Sequence, residues 1–347
     1  MQFSVYTNKD WLPENFRHVP MLFPFWGQIN EPIGSPDEGR FDELTQQGNK
    51  YYNLTETIKD ADCILLPFDY VFDTALEPIY KQIQTLASVY NKKIIVFNTT
   101  DNDAEIEFDN AIILRTSGNK SVSEKNVYAT LGWSKDFIYY TNRQLTIRKK
   151  QSKPVIGYCG YIDYISEKDL LKQKGISFFL KQKLFNTTIA DKGTMLRGKA
   201  IRHLQKAKNI TTNFIIRNGF WAGGIENKNE VRLQYANNII NSDYTLCIRG
   251  NGNFSYRLYE VMSCGRIPVF VNTDCILPYE DFINWKDYVV WIEENEINKL
   301  PEKIIQYHNN ISEINFEQQQ INNRRLYEEW LSPLGFHKNL YRYFPTT

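Results

Sequence analysis

Short apolar runs punctuate the chain, and the polar stretches between them carry apolar residues at helical spacing. In the first half, Phe3–Tyr6, Cys63–Pro67, Lys93–Asn98 and Ala111–Leu114 are too short for helices and are flanked by turn residues, so they predict strands. Between the second and third, Leu76, Ile79, Tyr80, Ile83 and Leu86 fall on one face of a helix spanning roughly 74–90. Strand–helix–strand order implies parallel pairing with right-handed crossovers. The stretch Trp26–Gly48, rich in Gly, Pro and Asn, reads as a long loop.

A polar, basic segment at Gln144–Pro154 interrupts this pattern and predicts a domain boundary. Its run Arg148–Lys149–Lys150 reads most simply as a solvated linker. PVIGYCGY then opens a second set of elements, with helices expected at Glu167–Leu184 and Met195–Lys208. Strands are expected at Thr212–Arg217, Tyr244–Ile248, Ile267–Val271 and Tyr288–Ile292. Helices are expected at Asn229–Asn241, Ser255–Cys264, Glu296–Tyr307 and Glu313–Leu331. The reading is therefore α/β, with two Rossmann-like domains, 1–150 and 151–320, facing a cleft. A tail, 321–347, is dense in apolar residues and is expected to cross back onto the first domain. Ligands of such sheets sit beyond the carboxyl ends of the strands, which here places them at the cleft.

Composition narrows the function mainly by exclusion. With 347 residues, 41 basic against 40 acidic and a net charge of +1, no bulk charge points to nucleic acid or an acidic membrane. Five dispersed cysteines form neither a disulfide framework nor a zinc-binding spacing. No apolar run is long enough for a membrane span or a signal peptide, so a cytoplasmic location is expected. A peripheral membrane contact through Arg324, Arg325, Lys338 and Arg342 is the weaker alternative. The aromatic content of 14% reads mostly as core.

The densest chemistry lies in DYTLCIRGNGNFSYRLYEVMSCGRIPVF, residues 243–270. A buried strand delivers the chain to Arg249, and Gly250 and Gly252 are expected to turn it sharply. Ser255 is placed to cap the next helix, and Gly265 to stop it. The unpaired N–H groups at that helix start, with the dipole behind them, make an anion site. Arg257 and Glu260, three residues apart, share a face. Arg257, Arg249 and the Ser255 hydroxyl would serve phosphates, and Glu260 the hydroxyls of a ribose. Arg217, ending a neighbouring strand, is a further candidate cation. From spacing alone, an exposed Arg257–Glu260 ion pair of little consequence is an equal reading.

The arrangement Arg-Gly-x-Gly-x-x-Ser-x-Arg-x-x-Glu, followed by Cys264–Gly265–Arg266–Ile267–Pro268–Val269, resembles the exostosin-type glycosyltransferases. The likeness continues through Asp274, Leu277–Pro278–Tyr279–Glu280–Asp281 and Ile283–Asn284–Trp285. It is dense over about fifty residues and weaker elsewhere, and nothing in the chain resembles the stem and membrane anchor of the family's animal members. What the resemblance implies is the two-Rossmann-domain fold called GT-B and an inverting, metal-independent transferase. Its donor would be a nucleoside-diphosphate sugar, UDP-linked, held as substrate with no further cofactor. Its acceptor would be a glycan or a lipid-linked sugar in polysaccharide biosynthesis. By the same resemblance, Ser255 and Arg257 would contact the diphosphate, Glu260 the ribose, and the loop ending at Asp281 the donor sugar.

An inverting displacement needs a general base on the acceptor side. Asp69, just past the strand at Cys63–Pro67, is the candidate, with Glu31 and His18 as rivals. The Asp-x-Asp triplets Asp60–Asp62 and Asp101–Asp103 read as turn and cap chemistry, and no metal site is expected. Two other functions compete: a fucosyltransferase-like enzyme with a guanosine-linked donor, and a nucleotide-sugar-binding protein without catalysis.

Overall fold

The computed structural model describes residues 3–123, 125–163, 193–219 and 227–344. The helix expected at Glu167–Leu184 lies outside them. Two all-parallel sheets carry the fold. The first has six strands in the order β2-β1-β3-β4-β5-β6, and the second has five in the order β11-β10-β9-β7-β8. The strands of the first are β1 (Phe3–Tyr6), β2 (Tyr52–Leu54), β3 (Cys63–Leu65), β4 (Lys93–Asn98), β5 (Ala111–Arg115) and β6 (Val127–Ala129). Those of the second are β7 (Val155–Tyr161), β8 (Thr211–Arg217), β9 (Tyr244–Cys247), β10 (Ile267–Asn272) and β11 (Val290–Glu293). Each half is thus a Rossmann-like α/β unit, as the strand pattern predicts.

The central strands are buried on both faces, which is why they read as continuous apolar runs: β3, β5 and β9 are buried along their whole length. Three-residue β2 and β6 escape the pattern because neither has enough apolar alternation to stand out. The helices are α1 (Phe23–Trp26), α2 (Asp42–Gln47), α3 (Glu77–Tyr90), α4 (Gly193–Lys206), α5 (Lys228–Ile240), α6 (Tyr256–Ser263), α7 (Leu300–Asn310), α8 (Glu313–Leu326) and α9 (Pro333–Asn339). The supposed loop Trp26–Gly48 therefore contains α2, which docks fully buried Leu44 into the core despite its polar neighbours.

The linker is pinned, which corrects its reading as a solvated segment. Arg148 Nε lies 2.7 Å from Oδ1 of fully buried Asp243, whose other oxygen accepts from the Val155 amide. Lys149 pairs with Glu317, and Lys150 donates to the Ile311 carbonyl. Arg266, 1% exposed, donates to carbonyls of Ile240, Thr146 and Cys264 and to the Gln320 side chain. A charge so deeply buried is tolerable because each donor meets an oxygen.

The C-terminal helix crosses back to the first unit. Arg324 grips both oxygens of Asp136 at 2.7 and 2.8 Å and donates to the Ser263 carbonyl. Tyr343 stacks on Tyr128 at 4.2 Å, and Phe344 packs at a tilt against Phe3 at 5.5 Å. One apolar core consequently runs from β1 and β4 through α6 to α9. All five cysteines are free and buried. Among the described residues no helix is long and apolar enough to cross a membrane.

His337, on α9, is fully buried among Tyr52, Phe97 and Trp133 and hydrogen-bonds through Nδ1 to the Pro333 carbonyl. Burial pushes its pKa down to about 4, against a partial lift from the Pro333 bond. An exposed imidazole titrates near 6.5, so the neutral ring stabilises the fold above that pH, and the contribution is lost as pH falls towards 4. The loss amounts to roughly 3 kcal/mol. Thermal melts should show Tm falling across this interval, and His337→Gln should flatten that part of the profile.

Candidate functional site

Both sheets share one strand logic. In each, the first strand is flanked by the second on one side and the third on the other, so a crevice opens at the carboxyl ends between strands one and three. In the second sheet these strands are β7 and β9. Their pairing is confined to Ile156–Gly157 against Tyr244–Thr245, and the strands are free to diverge beyond it. The loop after β9, residues 249–254, leads into α6 at this position.

The loop is held from both halves of the molecule. Gly250 N–H donates to the Phe254 carbonyl at 3.1 Å and closes it. Asn253, 3% exposed, donates its amide to Ser117 Oγ and its side-chain nitrogen to Gly118 O, Asn119 Oδ1 and Thr273 O. Thr273 Oγ1 returns a bond to Asn253 Oδ1 at 2.7 Å. The chain bends at 251–253 as expected, but neither Gly250 nor Gly252 has a positive φ, so the bend does not draw on left-handed backbone. Gly252 is required instead for close approach: a Cβ there would lie 2.9 Å from Asp101 Oδ1 and 3.1 Å from Asp101 Cα. Gly193, at the start of α4, likewise abuts the carbonyls of Arg249 and Gly250.

Ser255 is the N-cap residue of α6, with φ −141° and ψ 113°, but its hydroxyl makes no capping bond. Leu258 N–H turns back to the Ser255 carbonyl at 3.2 Å, which leaves the N–H groups of Tyr256 and Arg257 at the helix start for another acceptor. At its far end, Gly265 (φ 69°) donates to Met262 O and Arg266 N–H reaches Val261 O, the paired bonds of a Schellman stop.

Arg257, on the first turn of α6, is 8% exposed and crosses to β7. Its Nη2 donates to the Cys159 carbonyl at 2.9 Å, and its guanidinium lies 4.7 Å from the Tyr158 ring centroid. Its Nε has no protein acceptor, and among the described residues no carboxylate pairs with it. Gly160 leaves the room: a Cβ there would stand 3.1 Å from Arg257 Nη2.

Arg197 of α4 joins it, 8% exposed, with Nη2 on the Ile248 carbonyl at 3.2 Å and Nε unpaired. Burial lowers its pKa, and the nearby Arg257 charge adds to that lowering. Two guanidiniums that repel one another at a crevice, with donors to spare, attract an anion.

Glu260, expected to meet ribose hydroxyls, is held by protein partners. It is 5% exposed and accepts from Arg232 Nη1 at 3.0 Å and Tyr235 Oη at 2.5 Å. Two further lone-pair positions stay available on such a carboxylate. Arg217 is half-buried at the end of β8, bound to Val231 O and Gln234 Oε1 of α5, with Cys159 beside it. Arg249 is half-buried at the loop's start. Asp281 is exposed in a turn whose neighbours are committed elsewhere: Glu280 to Lys120, and Tyr279 to Tyr343 and Phe336.

On the opposite side of the seam, Asp69 follows β3, at the crevice of the first sheet. It accepts from Thr99 N–H at 3.2 Å and Thr99 Oγ1 at 3.0 Å. Burial raises its pKa, opposed by the two Thr99 bonds. Thr99 stands two residues before Asp101, which packs on Gly252. Of the rivals, Glu31 is ion-paired with Arg40, and His18 Nε2 is bonded to the Gly27 carbonyl at 2.8 Å. Asp60 accepts from Thr57 three residues away, as expected of turn chemistry, but Asp62 accepts from Ser4 of β1 and Asp103 from Asn119, bonds across the fold rather than within a turn.

Arg197, Arg232, Tyr158 and Tyr235 complete the site, and no motif announced them. The one available signal was arginine among apolar helix positions, as in Leu196–Arg197 and Val231–Arg232.

Residues 97–307 match the family model described as the exostosin GT47 domain. Exostosin-1 of Drosophila melanogaster is 31% identical over 77 residues, covering 22% of this chain and 10% of the fly protein. A probable glucuronosyltransferase of Oryza sativa subsp. japonica is 39% identical over 57 residues, 16% of this chain and 14% of its own. A probable beta-1,4-xylosyltransferase of Arabidopsis thaliana, IRX10L, is 37% identical over 57 residues, with the same two coverages. The matched stretches are thus a small part of each relative. Among solved structures, TarM aligns over 74% of this chain and 55% of its own, with a TM-score of 0.31 and 13% identity.

Gly252→Ala tests the seam. The added methyl must displace the Asp101 backbone, so affinity for any ligand of the crevice should fall while Gly250→Ala, whose Cβ meets nothing nearer than 3.8 Å, is tolerated. Ligand titration of the two variants separates them.

Proposed function

Because the chain belongs to the exostosin GT47 domain family, we propose that it transfers a sugar from a nucleoside-diphosphate donor to a glycan or lipid-linked acceptor. The transfer inverts the anomeric centre and relies on protein cations to stabilise the leaving group. The observation that carries this reading is Arg257, buried at the β7–β9 crevice with no carboxylate partner among the described residues, beside Arg197 and the open start of α6.

In this reading the diphosphate lies against Arg257, Arg197, the Ser255 hydroxyl and the first N–H groups of α6. Negative charge grows on the diphosphate as the bond from the anomeric carbon to its oxygen breaks. Donors fixed by Cys159 and Ile248 need no reorganisation to meet that charge, which favours the transition state over the ground state. Glu260, held in place by Arg232 and Tyr235, offers its remaining lone pairs to the ribose. Asp69 takes the proton from the acceptor hydroxyl as its oxygen bonds to the opposite face of the anomeric carbon. The likeness to a probable glucuronosyltransferase and a probable beta-1,4-xylosyltransferase supports a hexose or pentose as the sugar transferred, and the donor in this reading is UDP-linked.

A thermal-shift panel of nucleoside diphosphates and their sugars is the direct test, because a ligand of the folded state raises Tm. A uridine diphosphate should stabilise the protein, and a panel without any response would overturn the reading. With the donor known, Arg257→Ala should lower turnover by roughly a hundredfold or more, and chelator should leave the wild-type rate intact. Loss of rate restored by manganese would refute catalysis by protein cations.

Asp69 gives a separate expectation. Its raised pKa places the acidic limb of the rate profile above the ordinary carboxylate range near 4, with rate lost as the pH falls and the base is protonated. Asp69→Asn should abolish the limb together with most of the turnover while donor affinity persists. An unchanged limb would assign the base elsewhere.

A further inference from the structure

Arg257 and Glu260 stand three residues apart on α6, a spacing at which oppositely charged side chains on one helix meet. Both are buried, where attraction between unit charges is strong. Left to themselves they would pair, and the cation of the crevice would be spent internally. Yet Glu260 is drawn the other way. Arg232, on α5, donates from Nη1 to Oε1 at 3.0 Å, and Tyr235, one turn along the same helix, donates to Oε2 at 2.5 Å. Both tethers come from α5, while Arg257, whose guanidinium lies 5.6 Å from the same Tyr235 ring, gives its hydrogen bond to Cys159 on β7 rather than to the carboxylate.

Resting on the donor-site reading above, we propose that Arg232 is a positioning residue that holds Glu260 away from Arg257, so that the Arg257 guanidinium remains available to a diphosphate.

Arg232 is built for that task. It is 8% exposed and lies 4.7 Å from the Phe137 ring centroid, so its direction is fixed by packing. Its second nitrogen, Nη2, lies 3.2 Å from Asp37 Oδ1, so among the described residues Arg232 pairs with two carboxylates and Arg257 with none. Asp37 is itself anchored by the Lys135 amide. Other titratable groups near Arg232 are the Tyr235 and Tyr140 phenols, and neither competes for Glu260 with a charge. The local charge is thus partitioned among the described residues: two acids on Arg232, with Arg257 and Arg197 left for the ligand. An arrangement chosen for stability alone would spread the acids more evenly, because an unpaired buried cation is costly.

Inorganic pyrophosphate is the probe, because it carries the leaving group's charge and no ribose. Binding is followed by calorimetric titration of the intact chain. Arg232→Met keeps the packing stem but frees Glu260, and should weaken pyrophosphate binding roughly tenfold or more. Adding Glu260→Gln to that variant removes the internal competitor and should restore most of the affinity. A double variant no tighter than Arg232→Met would show a merely structural role and overturn the proposal. Should Arg232→Met fail to fold by melting profile, Tyr235→Phe removes the other tether with its ring retained. It should weaken binding by a smaller factor, again relieved by Glu260→Gln, and absence of relief there overturns the proposal equally. If wild-type protein binds no pyrophosphate at all, the donor-site reading fails first, a result distinct from any ranking among the variants.

Discussion

A positive charge buried without a negative partner constrains everything around it. Arg257 is 8% exposed, keeps an unbonded Nε and is met by one carbonyl and by the rings of Tyr158 and Tyr235. Such a group is destabilising in isolation, and a fold retains it only where surrounding contacts outweigh the cost. Those contacts are the Schellman stop at Gly265, the Arg266 network and the Asn253 staple, which fix α6 at both ends. None of the three touches the crevice. Each makes the position of Arg257 independent of a ligand.

The residues that most resemble the exostosin type therefore divide by physical role. Gly265 and Arg266 are structural: they stop a helix and knit the linker to α8, while Asn253, at an unspecified position of the motif, fastens the loop to the first sheet. Arg257 and Ser255 have spare donors at the crevice. Glu260 belongs to both sets, since its carboxylate is anchored internally and still has unused lone pairs. A motif can thus persist for packing and chemistry together, and residue identity alone does not separate the two.

The seam between the halves explains why so little of the first unit is distinctive in sequence. Its contribution is made by loops following strand ends: Asp69 after β3, Thr99 and Asp101 after β4, and Ser117 and Asn119 after β5. These are short polar residues of the kind found in any turn. What gives them meaning is the parallel order of the sheet, which brings all three strand ends to one edge.

Periodicity alone determined the strands with apolar runs, the α/β class, the two sheets and most helices, because burial on both faces leaves a pattern in the letters. It also placed the chain's cationic loop at a strand end and before a helix start. It missed β2, β6 and α2, whose few residues bury one or two side chains and leave no period to detect. It also misread Arg148–Lys150 and Gly252, since an ion pair with Asp243 and a close approach to Asp101 are long-range facts. Only the tertiary structure decided which partner each charge takes. Arg257 and Glu260 sit on one helix face, and a third residue from another helix, Arg232, settles that they do not pair.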